Sequence, residues 1–150
     1  MNRGDGRPAV LVVEDDPALL RLIQCMLADG GMTAFTATKA ADGLALVRER
    51  RGDFDLAIID IVMPGMSGLD LATDLDREYP NLKILYISGY VGSLAAEAIA
   101  RRTPDRVLLK PFTEPVLLER VRALLEIPSR CEPGQATPSP ARENRNGTSG

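Results

Sequence analysis

Apolar residues along this chain fall into two alternating patterns. Ala9–Val13, Leu56–Ile59, Ile84–Ile87 and Val107–Leu109 are unbroken apolar runs. Runs this short and this continuous predict parallel strands covered by helices on both faces. Met32 to Ala37 alternates in polarity and predicts a weaker fifth strand. Between the strands, Leu19, Leu20, Ile23, Met26 and Leu27 recur at helical spacing, as do Leu44 and Val47, and then Leu69, Leu71, Ala72 and Leu75. Asp16 before Pro17 and Ser67 three residues before Asp70 read as helix starts, and Thr113 before Glu114-Pro115 reads as a third. The segment from Ser93 to Arg102 is alanine-rich and has little to bury beyond Leu94, Ala95, Ala98 and Ile99, so its helix is expected to pack weakly. Five strands alternating with five helices, joined by right-handed crossovers, give a doubly wound α/β sheet. Its simplest form is the five-stranded flavodoxin-like order 2-1-3-4-5, with helices on both faces.

From Pro128 to the end there is no Leu, Ile, Val, Phe or Met. Such a Pro/Ser/Gly-rich segment buries too little apolar surface to offset its ordering entropy. The expected organisation is therefore a short leader over 1–7, one folded domain over 8–127 and a disordered tail over 128–150. Truncation after Ile127 is expected to leave the thermal midpoint nearly unchanged. A drop of several degrees in a melting curve would show that the tail packs on the domain.

Composition narrows the chemistry. The chain contains no histidine, which removes Ser-His-Asp and Cys-His catalysis, His-ligated metals and any role as a histidine phosphodonor. A net charge of −3 offers no basic face for nucleic acid. No apolar run approaches the length of a membrane span or signal peptide, so a cytoplasmic location is expected. Cys25 and Cys131 share no metal-like spacing, and a reducing compartment disfavours a disulfide between them.

Open α/β sheets bind ligands beyond the carboxyl ends of their strands, and four of the five predicted ends carry functional groups. They are Glu14-Asp15-Asp16, Asp60, Ser88 and Lys110. In the order 2-1-3-4-5 the first and third strands are neighbours, so Glu14, Asp15 and Asp60 converge. Three carboxylates repel unless a cation joins them, and an all-oxygen set that also admits a phosphoryl group suits Mg²⁺. Asp60 then qualifies as a carboxylate nucleophile, with Lys110 and Ser88 as a point charge and a hydroxyl donor to the phosphoryl oxygens.

These pieces resemble the receiver domain of response regulators in two-component signalling, of the CheY-like kind. The matching stretches are Val12-Val13-Glu14-Asp15-Asp16-Pro17, Asp60-Ile61-Val62-Met63-Pro64-Gly65-Met66-Ser67-Gly68, Ser88-Gly89 and Lys110-Pro111-Phe112. The resemblance implies that Asp60 is the phosphoacceptor, that Glu14 and Asp15 bind metal with Asp60 and the main-chain carbonyl of Val62, and that Ser88 and Lys110 contact phosphate. It also implies a cis bond between Lys110 and Pro111. Many receivers carry a switch aromatic three positions before the lysine. Here that position is Val107, and Tyr90 is the nearest candidate to share the role.

The resemblance further implies a histidine kinase or histidine phosphotransfer protein as donor and a downstream protein as target. The surface of the last two helices and strand 5 is the expected contact face, with homodimerisation through it as a further expectation. A single-domain regulator is the reading favoured by Met1 and by the composition after Ile127. A receiver segment of a hybrid histidine kinase and a non-phosphorylated pseudo-receiver are the alternatives. A haloacid-dehalogenase-like phosphatase needs a second Asp two residues after the nucleophile, where Val62 stands. A flavodoxin-like cofactor site needs a Ser/Thr/Gly-rich loop where Glu14-Asp15-Asp16 would repel phosphate.

Overall fold

The computed structural model describes residues 6–89 and 94–126. Expectations that fall on Tyr90, Ser93, Cys131 and the 128–150 segment lie outside the described residues. Five strands, β1 (Ala9–Val13), β2 (Thr33–Ala37), β3 (Leu56–Asp60), β4 (Lys83–Ser88) and β5 (Val107–Leu109), form one parallel sheet in the order β2-β1-β3-β4-β5. They alternate with α1 (Pro17–Asp29), α2 (Ala40–Glu49), α3 (Gly68–Glu78), α4 (Leu94–Arg102) and α5 (Glu114–Leu125). This is the doubly wound architecture the hydrophobic pattern predicts.

Every residue of β1 and β3 is buried, because these strands have neighbours on both edges and helices on both faces. Successive side chains of a strand point to opposite faces, and the core accordingly splits in two. Leu11, Val13, Ala57 and Ile59 meet Leu44 and Val47 of α2 and Leu71 and Leu75 of α3. Val10, Val12, Ile58 and Ile87 meet Ile23 and Leu27 of α1 and Leu117 and Val121 of α5. Each fully buried Val, Leu or Ile among them contributes about 1.5–3 kcal/mol relative to exposure.

Helix starts follow local chemistry in two of three predicted cases. Asp16 Oδ1 accepts from the Ala18 amide at 3.0 Å, and Ser67 Oγ accepts from the Asp70 amide at 3.1 Å. Thr113 precedes α5 as expected, yet its side chain makes no capping bond. A proline in the first turn removes one of the amides that a cap would otherwise serve. A 3₁₀ turn over Pro104–Arg106, not foreseen from the sequence, leads into β5. Arg120 of α5 holds it by donating to the carbonyls of Pro104 at 3.1 Å and Val107 at 3.0 Å. Helix α4 packs lightly, with Ala96 buried and Leu94 83% exposed.

Candidate functional site

The carboxyl ends of β1, β3 and β5 bring four charged groups together. The Glu14 amide donates to the Ala37 carbonyl at 3.1 Å, which ties the end of β1 to β2. Asp60 is the last residue of β3 and pairs in register with Ile87 of β4. Carboxylate oxygens of Glu14, Asp15 and Asp60 lie within 4.8 Å of one another. Glu14 and Asp60 are 1% and 3% exposed, whereas Asp15 is open to solvent. The set therefore has a buried floor and an accessible side.

Lys110 crosses from the far end of the sheet to reach this cluster. Its Nζ donates to Glu14 Oε2 at 2.9 Å and to Asp60 Oδ2 at 3.0 Å. Its own amide bonds the Ser88 carbonyl at 2.8 Å, fixing the start of its reach. The Lys110–Pro111 bond is cis, as the resemblance implied. The repulsion expected among the three carboxylates is thus partly answered by the lysine, a contact that strand-end inspection did not reveal.

Burial dominates the electrostatics of Glu14. It pushes the carboxyl up to about 7, against the opposing hydrogen bond from Lys110, and the neighbouring Asp60 adds to the rise. For Lys110, burial works to lower the ammonium, but the hydrogen bonds to Glu14 and Asp60 outweigh it and leave the group above the ordinary lysine value. The ammonium is therefore held charged beside two acids. The second Asp60 oxygen, Oδ1, accepts from the Val62 amide at 3.1 Å.

The remaining predicted site residues differ in burial around this cluster. Ser88 is fully buried at the end of β4, one position beyond the strand partner of Asp60. Val62 turns its side chain outward and is exposed, and Pro111 is exposed beside Lys110. Val107 is buried and pairs with Tyr86 on β4, one residue before the level at which Asp60 pairs with Ile87. Position 107 therefore offers no aromatic to couple to Ser88. Tyr86, on the neighbouring strand, is the partly buried aromatic at that level of the sheet.

Hard oxygen donors in this number and spacing fit Mg²⁺, which prefers carboxylates and retains water. Glu14, Asp15 and Asp60 are the residues that would hold it, with exposed Asp15 facing the solvent from which the ion arrives.

Comparison with known proteins agrees with this geometry. Residues 10–122 match the response regulator receiver domain. The chain is 32% identical to chemotaxis protein CheY-3 of Vibrio cholerae over 120 residues, 78% of this chain and 91% of that protein. It is 34% identical over 128 residues to the probable transcriptional regulatory protein TcrX of Mycobacterium tuberculosis, covering 83% of this chain but only 53% of that one. The crystal structure of a CheY-like receiver domain protein from Methanospirillum hungatei superposes with a TM-score of 0.71 at 29% identity, over 80% of this chain and 94% of that one. The chain belongs to the response regulator receiver domain family.

Proposed function

We propose that Asp60 accepts a phosphoryl group from a histidine kinase or a histidine phosphotransfer protein, and that the protein signals through a phosphorylation-dependent contact surface. The observation that carries this reading is the meeting of Glu14, Asp15, Asp60 and Lys110 at one end of the sheet. An Asp60 carboxylate oxygen forms the new bond to phosphorus as the bond from phosphorus to the donor imidazole nitrogen breaks. This sequence contains no histidine, so the donor lies outside it. Mg²⁺, when bound, neutralises the incoming phosphoryl oxygens. Lys110 already sits at Asp60 and supplies a fixed positive charge, and the Ser88 hydroxyl is the further donor assigned to the phosphoryl group. The main-chain carbonyl of Val62 is assigned to the metal alongside the three acids.

The folded unit over 8–127 is read as a signalling module. The match along 91% of CheY-3 supports a single-domain regulator. Among the described residues no helix is long and apolar enough to cross a membrane, and a cytoplasmic location is the one that suits phosphotransfer from a kinase.

The output is assigned to the surface of α4, β5 and α5, which also serves any homodimer. Leu109 on β5 is 51% exposed and Val116 on α5 is 44% exposed. Beside them a cleft of about 390 Å³ is lined by Asp105, Val116, Glu119, Arg120, Ala123 and Leu124. The elements that register phosphate, Ser88 and Lys110, immediately precede or join this face, and the light packing of α4 makes it the element most easily displaced. Beryllofluoride with Mg²⁺ is expected to slow or speed amide exchange in α4 and around β5, read by mass spectrometry. Changes confined to residues 14–27 would refute the assignment of the output face, and no change anywhere would favour a pseudo-receiver.

A further inference from the structure

Helix α3 starts against the end of β3 with no room for a side chain at its first residue. The Gly68 amide donates to the Ile61 carbonyl at 3.2 Å. A Cβ on Gly68 would fall on the carbonyl oxygen of Asp60, 2.8 Å from that carbonyl carbon and 3.0 Å from Ile59 Cγ2. The obstacle is backbone in the middle of the sheet. The Ile61 amide bonds the Ile87 carbonyl at 3.0 Å on the other side, so the peptide after Asp60 is gripped between β4 and the first turn of α3.

Other crowded glycines are different in kind. At Gly30, Gly43 and Gly52 the nearest atoms belong to the side chains of Leu118, Val13 and Tyr79 and not to the backbone. Gly68 is not in the left-handed region, so close approach, not backbone freedom, is what requires glycine there.

We propose that Gly68 is a positioning residue for the phosphoacceptor: its missing side chain lets α3 press on the Asp60 carbonyl and hold the Asp60 carboxylate at its place between the Val62 amide and Lys110. The inference rests on Asp60 being the phosphoacceptor. Any larger residue must push α3 off β3 or tilt the Asp60 peptide by roughly an ångström to restore van der Waals separation. A displacement of that size at a reacting atom costs much of its reactivity.

The test compares wild type, Gly68→Ala and Gly30→Ala, each as the full chain with saturating Mg²⁺. Gly30→Ala crowds Leu118 at the far end of α1 and controls for lost stability. Acetyl phosphate labelling is followed by intact mass and scaled to the folded fraction from circular dichroism, with fluorine NMR of bound beryllofluoride as a second readout. Gly68→Ala is expected to label roughly tenfold or more slowly per folded molecule and to give displaced fluorine signals. Gly30→Ala is expected to match wild type in both.

If Gly68→Ala unfolds in buffer, the rates are read in trimethylamine oxide, which favours the compact state. Labelling of Gly68→Ala within about twofold of wild type, or equal slowing in Gly30→Ala, overturns the proposal. A Gly68→Ala chain that stays unfolded even in the osmolyte also overturns it, because positioning requires a domain that folds around a displaced α3. A wild-type chain that takes no phosphoryl group at all would instead fail the phosphoacceptor reading beneath it.

Discussion

Asp60→Asn is expected to abolish covalent phosphorylation, lowering the rate of labelling by acetyl phosphate by on the order of 10³-fold or more, while leaving the fold intact. The amide nitrogen of asparagine is a poor nucleophile, and its oxygen lacks the negative charge that attacks phosphorus. The shape is otherwise conserved, so the bond that Asp60 Oδ1 accepts from the Val62 amide persists. Asp60 is buried beside a second acid, and neutralising one of two close carboxylates relieves repulsion. The thermal midpoint without Mg²⁺ is therefore expected to stay level or rise. Intact-mass measurement with and without Mg²⁺ checks the first part, and wild-type labelling should require the ion. Undiminished labelling in Asp60→Asn would move the phosphoacceptor elsewhere.

Lys110→Met carries the largest expected effect on stability. It removes the ammonium bonded to both Glu14 and Asp60, leaving two buried acids facing each other. Breaking a buried pair from one side costs about 3–5 kcal/mol. Because the Lys110 side chain is 21% exposed and Glu14 can take up a proton, a loss of about 2–3 kcal/mol at pH 8 is the expectation.

The sign of the pH dependence follows from Glu14. Its carboxyl is raised by burial from an ordinary 4.5 to about 7, so the folded state holds the proton more tightly than the unfolded chain. The associated stability is complete below about 4.5 and is lost as pH climbs through about 7. With Lys110 gone, the lowering influence of its hydrogen bond disappears and the window extends upward. Thermal melts of Lys110→Met without Mg²⁺ should therefore fall further behind wild type between pH 6 and 8, on the order of several degrees, and Mg²⁺ should narrow the gap. Melting curves parallel across that range would show that Lys110 does not compensate the acids.

Much of this was legible in the order of the residues. Stretches such as Ala9–Val13 and Leu56–Ile59 are continuous apolar runs, and burial on both faces leaves no polar position to disguise them. Asp16-Pro17 declares a helix start because the cap is a local bond between residues two apart. The site was legible too, since the strand-end rule turns one-dimensional position into a common location once the strand order is guessed.

Thr113 shows where that reading stops, because residue type permits a cap that the backbone there does not use. The 3₁₀ turn at Pro104–Arg106 depends on Arg120, 16 residues away from Pro104 on another helix, and no local pattern encodes that support.

By itself, then, the sequence determined the alternation of elements, the strand order it favours and the identity of the acids, hydroxyl and lysine at the strand ends, all of which rest on short-range periodicity and on a general property of parallel sheets. Only the tertiary structure decided that Lys110 bridges Glu14 and Asp60 across 96 and 50 residues of chain, that Val107 lies beside Tyr86, and that Gly68 rests on the Asp60 carbonyl. Those three contacts join segments brought together by crossovers and helix packing, where distances of a few ångströms are set by the volume of every side chain between them.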